Sequence, residues 1–282
     1  MSESNRDPLP PITPWLLRGF RGYVRRYVRR HFDAVRLLPT EPGASPWPQI
    51  PRDASVLVVM NHASWWDPLT CVRLSEGSEA FIDRTHYAPI DEAMLEAYGV
   101  FKRLGFFGVA ADEARGVRQF LRGGRAVLTG EESARRALWV TAQGRFVDVR
   151  ERPVVLRPGV AHLLTHLDRH RASPCVVVTL ALEYVFWDQR TPELLAAFGP
   201  VRRVLDGASQ ASPDMRRVDA WQACLANDLT ATMDRLAAAA IARDPSAFVE
   251  MASGRAGVGG IYDLGRRIKA KLTGGSLDVR HG

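Results

Sequence analysis

The residues best placed to do chemistry are His62 and Asp67, in the stretch VLVVMNHASWWDPL at residues 56–69. An apolar, β-branched run stops at Met60, a histidine follows two residues later, and an aspartate stands five residues after that, directly before Pro68. A separation of five puts two side chains about 140° apart on a helix and on opposite faces of a strand, so neither regular element lets them meet. A tight turn from strand into helix does, and Pro68 suits the first turn of such a helix. In that turn Asp67 would hold one imidazole nitrogen, set the tautomer and stabilise the imidazolium, leaving the other nitrogen as a general base. The structural alternative is Asp67 as a helix N-cap and His62 as a satisfied loop histidine. Ser64 has no G-x-S-x-G elbow around it and is read as a turn residue.

Other chemistry-bearing side chains form weaker patterns. His162, His166 and His170 recur every four residues, a spacing that binds zinc when a third type of ligand joins, but no HExxH and no cysteine set accompanies them, so no metal site is expected. Cys71, Cys175 and Cys224 are far apart and form no CxxC pair, as expected of reduced thiols.

The elements that must position the pair read as α/β. Residues 54–60 are expected to form a buried strand, followed by strands over 79–83, 105–109, 137–141, 175–183 and 194–198. Helices are expected over 68–75, 90–103, 112–128, 158–168 and 214–242, with a short basic one at 262–272. The alternation predicts a mixed, mainly parallel sheet with crossover helices. Ahead of it, residues 14–37 place Leu16, Phe20, Tyr23, Val24, Tyr27, Val28, Phe32 and Val35 at spacings of three and four, with arginines opposite, which predicts an amphipathic helix. A Pro-rich connector follows. The expected organisation is an N-terminal helix and linker (1–48), a catalytic-type body (49–253) and a basic tail (254–282).

The chain has 282 residues, a net charge of +7, 46% hydrophobic and 24% charged residues, which excludes disordered, collagenous and disulfide-scaffold classes. The positive charge is concentrated at the ends: seven arginines face the single Asp33 between residues 14 and 37, whereas the centre is slightly acidic. Such an arrangement suits contact with an anionic surface, either membrane phosphate or nucleic acid. An aromatic, arginine-rich helix favours the lipid interface, and no nucleic-acid recognition motif is present. The first residues carry no secretory signal pattern and no run approaches the roughly 20 apolar residues of a spanning helix, so a cytoplasmic protein is expected.

The NHxxxxD motif after an apolar strand resembles the first motif of the glycerolipid and lysophospholipid acyltransferase family. The likeness continues in order along roughly residues 50–205: KRLGFFGV (102–109) is similar to the second motif, TAQGR (141–145) lies where the third falls, RPGVAHLL (157–164) resembles the basic stretch after it, and PCVVVTLALEY (174–184) resembles the fourth. Two departures stand out. The arginine usual after the second motif is replaced by Ala110 and Ala111, and aligning the third motif on Gly144 puts Gln143 where the family has a glutamate.

The resemblance implies a glycerol-3-phosphate acyltransferase-like fold, His62 and Asp67 as catalytic residues, and Asn61, Lys102, Arg103, Gln143, Gly144 and Arg145 as substrate-binding residues. It implies no cofactor. The co-substrate would be acyl-CoA or acyl carrier protein, and the partner a membrane lipid surface on the inner face of the cell membrane. The acceptor is either an anionic lysophospholipid of the 1-acylglycerol-3-phosphate kind or a neutral glycolipid or isoprenoid alcohol, since the lost charges weaken phosphate recognition. A non-catalytic lipid-binding protein of the same fold is the alternative.

Overall fold

The computed structural model describes residues 9–111, 113–170, 174–204 and 218–254. Its centre is an eight-stranded sheet of β1 (Ala34–Leu38), β2 (Ser55–Met60), β3 (Thr85–Asp91), β4 (Phe106–Val109), β5 (Arg136–Thr141), β6 (Cys175–Val185), β7 (Glu193–Arg203) and β8 (Val249–Ser253), in the order β4-β3-β5-β2-β6-β7-β1-β8. The pairings are parallel except β6 with β7 and β1 with β8. The helices are α1 (Pro14–His31), α2 (Asp67–Leu74), α3 (Glu79–Ile82), α4 (Glu92–Ala97), α5 (Ala114–Leu128), α6 (Gly159–His170) and α7 (Val218–Ala242). None of them is long and apolar enough to cross a membrane among the described residues.

β2 shows why the sheet is covered on both sides. Val56, Val58 and Met60 point into one core with Val24 and Val28 of α1, Leu74 of α2 and Phe81 of α3. Leu57 and Val59 point into the other, with Leu128 of α5, Leu163 and Leu164 of α6, and Leu229 of α7. All six β2 residues are buried, the continuous pattern of a strand sandwiched between helical layers.

Several elements differ from expectation. The first helix stops at His31 rather than running to residue 37, and Ala34–Leu38 form β1 inside the sheet, paired with β7 and β8. Val35 fits the helical stripe, but Val35 and Leu37 also alternate with period two, and strand pairing decides. Arg36, buried between Glu193 at 2.9 Å and Glu250 at 3.0 Å, ties β1 to both neighbours. The segment expected to precede the body thus supplies one of its strands. Residues 79–83 form a helix rather than a strand, because the Ser78 hydroxyl accepts the Ala80 N–H at 3.2 Å as an N-cap. The helix expected over 90–103 is split: Ile90 and Asp91 end β3, the Asp91 carboxylate caps α4, and a 3-10 turn spans Gly99–Leu104. The basic helix expected at 262–272 lies outside the described residues.

β3 has the greatest consequence for the site. It pairs with β5 only from Thr85 to Tyr87, then with β4 alone from Ala88 to Asp91, while β5 continues along β2 to Thr141. The facing edges of β3 and β5 therefore part, and the sheet splits. Pro89 is tolerated there because this half of the strand is unpaired on its β5 side.

Candidate active site

β2 ends where two hydrogen bonds lock its last turn to β6. The Asn61 side chain donates to the Leu182 carbonyl at 2.9 Å and accepts the Leu182 N–H at 2.8 Å. Asn61 is 1% exposed, so it acts as a bracket between strands rather than a contact to ligand. Replacing it with alanine strands both Leu182 groups in the interior, and an Asn61→Ala variant is expected to lose roughly 2–4 kcal/mol of stability, read by urea denaturation.

Beyond that bracket the chain turns sharply and Asp67 opens α2. Its carboxylate folds back over the turn: Oδ2 accepts the Ala63 N–H at 2.9 Å and the Ser64 N–H at 3.1 Å, and lies 2.7 Å from His62 Nδ1. The carboxylate does not cap α2, whose N-cap position is Trp66 with no side-chain cap hydrogen bond; it organises the turn that precedes the helix. The Ser64 hydroxyl accepts the Trp66 N–H at 3.2 Å, a turn role. Oδ1 accepts the Tyr184 hydroxyl at 2.7 Å, and Thr70 Oγ1 stands 2.9 Å behind that hydroxyl. Asp67 is fully buried, while the His62 side chain keeps 19% of its surface. Because a carboxylate only accepts, Nδ1 carries the proton and Nε2 is left as the basic nitrogen.

Tyr184 is the partner that sequence reasoning missed. Burial, followed by the charge of Asp67, raises its hydroxyl well above the ordinary tyrosine range, so it remains a donor. The missed signal was strand adjacency: β6 runs beside β2 in register Met60↔Leu180, so residues two and four further on overhang the turn.

The opposite side of the histidine is set by the loop after β5. The Gln143 side-chain oxygen accepts the His62 N–H at 2.9 Å, and the His62 carbonyl accepts the Val147 N–H at 2.9 Å. Gln143 thus positions the histidine's backbone. Gly144 has φ of +66°, and a Cβ there would come within 2.3 Å of Arg157 Nε, so glycine is required both by conformation and by the guanidinium that crosses it. Phe146 lays its ring 4.1 Å from the His62 ring, and Trp65, largely exposed, stands 5.0 Å from Phe146. The two aromatics form a rim.

His62 opens onto a cavity of about 670 Å³ that occupies the gap between β3 and β5. Its walls come from both helical layers: Leu17 and Phe20 of α1 and Cys71 and Val72 of α2 from one, Phe120 of α5 and Val160 of α6 from the other. Ala88–Asp91 and Trp139–Ala142 are the parted strand edges between them. Most lining residues are apolar, and the cations among them are Arg21, Arg145 and Arg157. Arg145 also pairs with Glu151 at 2.7 Å. Lys102 and Arg103 do not line the cavity: the 3-10 turn buries Leu104 and leaves both exposed. Arg157, by contrast, was not singled out from sequence and belongs to the wall.

Cys71 also faces the cavity, but burial, and then the charge of Asp67, raises its thiol well above the usual range, so it is no thiolate nucleophile. All three cysteines are free, and burial pushes Cys175 up to about 12. Among the described residues no three His, Cys, Asp or Glu side chains converge as metal ligands.

What these residues define is an α/β protein with a tautomer-fixed His–Asp pair at the edge of a long apolar cleft. Compared with protein-family models the chain matches none, and no curated protein matches it.

Proposed function

We propose that this protein is a peripheral membrane O-acyltransferase with a glycerol-3-phosphate acyltransferase-like fold, moving a fatty acyl group from acyl-CoA or acyl carrier protein to a lipid hydroxyl. The observation that carries the reading is the junction of two features: His62, with Nδ1 committed to Asp67, borders a cleft whose walls suit an alkyl chain. In the reaction His62 Nε2 takes the proton of the acceptor hydroxyl as its oxygen attacks the thioester carbonyl. The tetrahedral intermediate collapses by breaking the carbon–sulfur bond, and the departing thiolate recovers that proton from the imidazolium. Asp67 stabilises the transient cation, and Tyr184 and the two backbone N–H groups hold Asp67 in place. No acyl-enzyme is needed, in keeping with a cavity whose cysteine stays protonated. Arg145, paired with Glu151, and Arg157, which donates to the Ala111 carbonyl, add positive charge to the same cavity, favourable to an oxyanion or an anionic acceptor.

Membrane access fits the amphipathic character of α1. It turns Leu17 and Phe20 into the cleft while exposing Trp15 and Tyr23 among Arg18, Arg26, Arg29 and Arg30. Exposed aromatics amid guanidinium groups suit headgroup depth at the inner face of the cell membrane.

The test is acyl transfer from radiolabelled long-chain acyl-CoA or acyl carrier protein into a membrane lipid extract, with products resolved by chromatography. One labelled lipid is expected, and its headgroup identifies the acceptor. Folded protein that labels no lipid with either donor would contradict the reading.

A further inference from the structure

At the α1 end of the cleft stands a cation with no anion of its own. Arg21 lines the cavity, and its Nε is buried without a hydrogen-bond partner, one of two such side-chain atoms among the described residues. Its nearest carboxylate, Glu76, is 3.9 Å away and gives both oxygens to Arg25, at 2.7 and 3.0 Å. Arg73 lies 4.0 Å from the same carboxylate. Three guanidinium groups thus share one negative charge; Arg73 also donates to the Met251 carbonyl at 3.4 Å, whereas the Nε of Arg21, which faces the cleft, has no hydrogen-bond partner.

Among the described residues no other carboxylate lies within 4.0 Å of Arg21: of the acids that line the cavity, Asp67 serves the His62 turn and Asp91 caps α4. The Trp139 indole N–H donates to His86 Nδ1, so His86 Nε2–H donates to the Phe81 carbonyl, and both ring nitrogens are committed. Desolvation, and then the positive charge of Arg21, push His86 down to about 3, which keeps it neutral. The Ser75 hydroxyl donates to the Val72 carbonyl. A donor atom buried without a partner is costly, and here it belongs to a guanidinium whose side chain keeps 25% of its surface and lines the cleft, where a ligand can complete it.

The path from His62 to Arg21 follows one face of α2. Asp67, Cys71 and Ser75 line the cavity at successive helical turns, with Val72 beside them, and Asp67 to Ser75 spans about 12 Å at helical rise. A ligand filling this path is apolar along its length and anionic at the far end.

We propose that Arg21 anchors an oxyanion, phosphate or carboxylate, at one end of an amphiphilic substrate whose apolar part lies along α2. This deepens the acyltransferase reading, which supplies only the reacting group at the opposite end; the anchor itself is a binding property, separable from turnover.

Binding is measured by calorimetry on the full chain with decyl phosphate below its micelle concentration, 1-decanol as neutral probe and inorganic phosphate alone. Arg21→Gln is expected to bind decyl phosphate about tenfold or more weakly than wild type, whereas Arg52→Gln, at an exposed position outside the cavity, binds it as wild type does. Binding of 1-decanol is unchanged by either substitution. His62→Ala retains decyl phosphate binding, so a protein without turnover would still pass this test. Equal binding of decyl phosphate by wild type and Arg21→Gln would overturn the anchor, and inorganic phosphate bound as tightly as decyl phosphate would overturn the amphiphile. Arg21→Met gives a second readout: removing a guanidinium whose buried Nε has no hydrogen-bond partner leaves the melting temperature unchanged or raised without ligand, and decyl phosphate then stabilises wild type alone. A lowered melting temperature would mean that the protein itself holds Arg21, and would also overturn the assignment.

Discussion

Replacing His62 with alanine is expected to lower acyl transfer by about 10²–10⁴-fold, the usual contribution of a positioned general base, while the fold is left intact. The side chain is partly exposed, and its loss leaves Asp67 with three remaining donors: two backbone N–H groups and the Tyr184 hydroxyl. The buried carboxylate therefore stays satisfied, and stability should change by no more than about 1 kcal/mol. Initial rates with labelled thioester, beside a thermal melt of the same preparation, test both halves.

Asp67 should behave in the opposite way, because it serves the histidine and the turn together. In Asp67→Asn the amide oxygen can still accept from His62 and the two backbone N–H groups, with Tyr184 rotating to accept from the new amide. The shape survives, the charge does not, and the rate should fall by about 10³-fold or more as the imidazolium loses its counter-charge. In Asp67→Ala the Ala63 and Ser64 N–H groups and the Tyr184 hydroxyl all lose their acceptor inside the protein. A loss of roughly 3–5 kcal/mol follows, at about 1–3 kcal/mol for each stranded group after partial relaxation. Denaturant titration separates the two variants: the asparagine form should unfold near wild type and the alanine form well below it. Equal stability of the two would remove Asp67 from its role as organiser of the turn.

His62 and Asp67 were legible because everything that joins them lies within nine residues, Met60 to Pro68: the end of an apolar strand, a turn and a proline in the first turn of a helix. Residues reaching the site from elsewhere in the chain were harder. Tyr184 and Arg157 lie in the family-like stretches 174–184 and 157–164, but their arrival at the site depends on strand order and on a side chain that crosses Gly144, which local spacing does not set. Lys102 and Arg103 show the converse, since their place beside a cavity-lining strand is undone by the turn that buries Leu104 and points them outward. Asn61 spends its side-chain amide on the backbone of Leu182, and Gln143 its side-chain oxygen on the His62 N–H.

For the fold, long apolar runs such as β2 and β6 were readable, whereas β3 was not. Pro89 argues against a strand in the local sequence, and only the split between β3 and β5 makes it acceptable. That split is also what opens the cleft, so the feature hardest to read locally is the one that creates room for substrate. The Ser78 cap and the period-two alternation of Val35 and Leu37 were visible signals that other periodicities outweighed.

The most direct measurement is a coupled assay in which thiol release from a long-chain acyl thioester and label entering lipid are followed together, for wild type and His62→Ala. The account predicts that wild type releases one thiol for each acyl group transferred, only when acceptor lipid is present, and that both signals collapse in the variant. Thiol release that needs no acceptor, or a His62→Ala protein that transfers acyl groups at the wild-type rate, would contradict it.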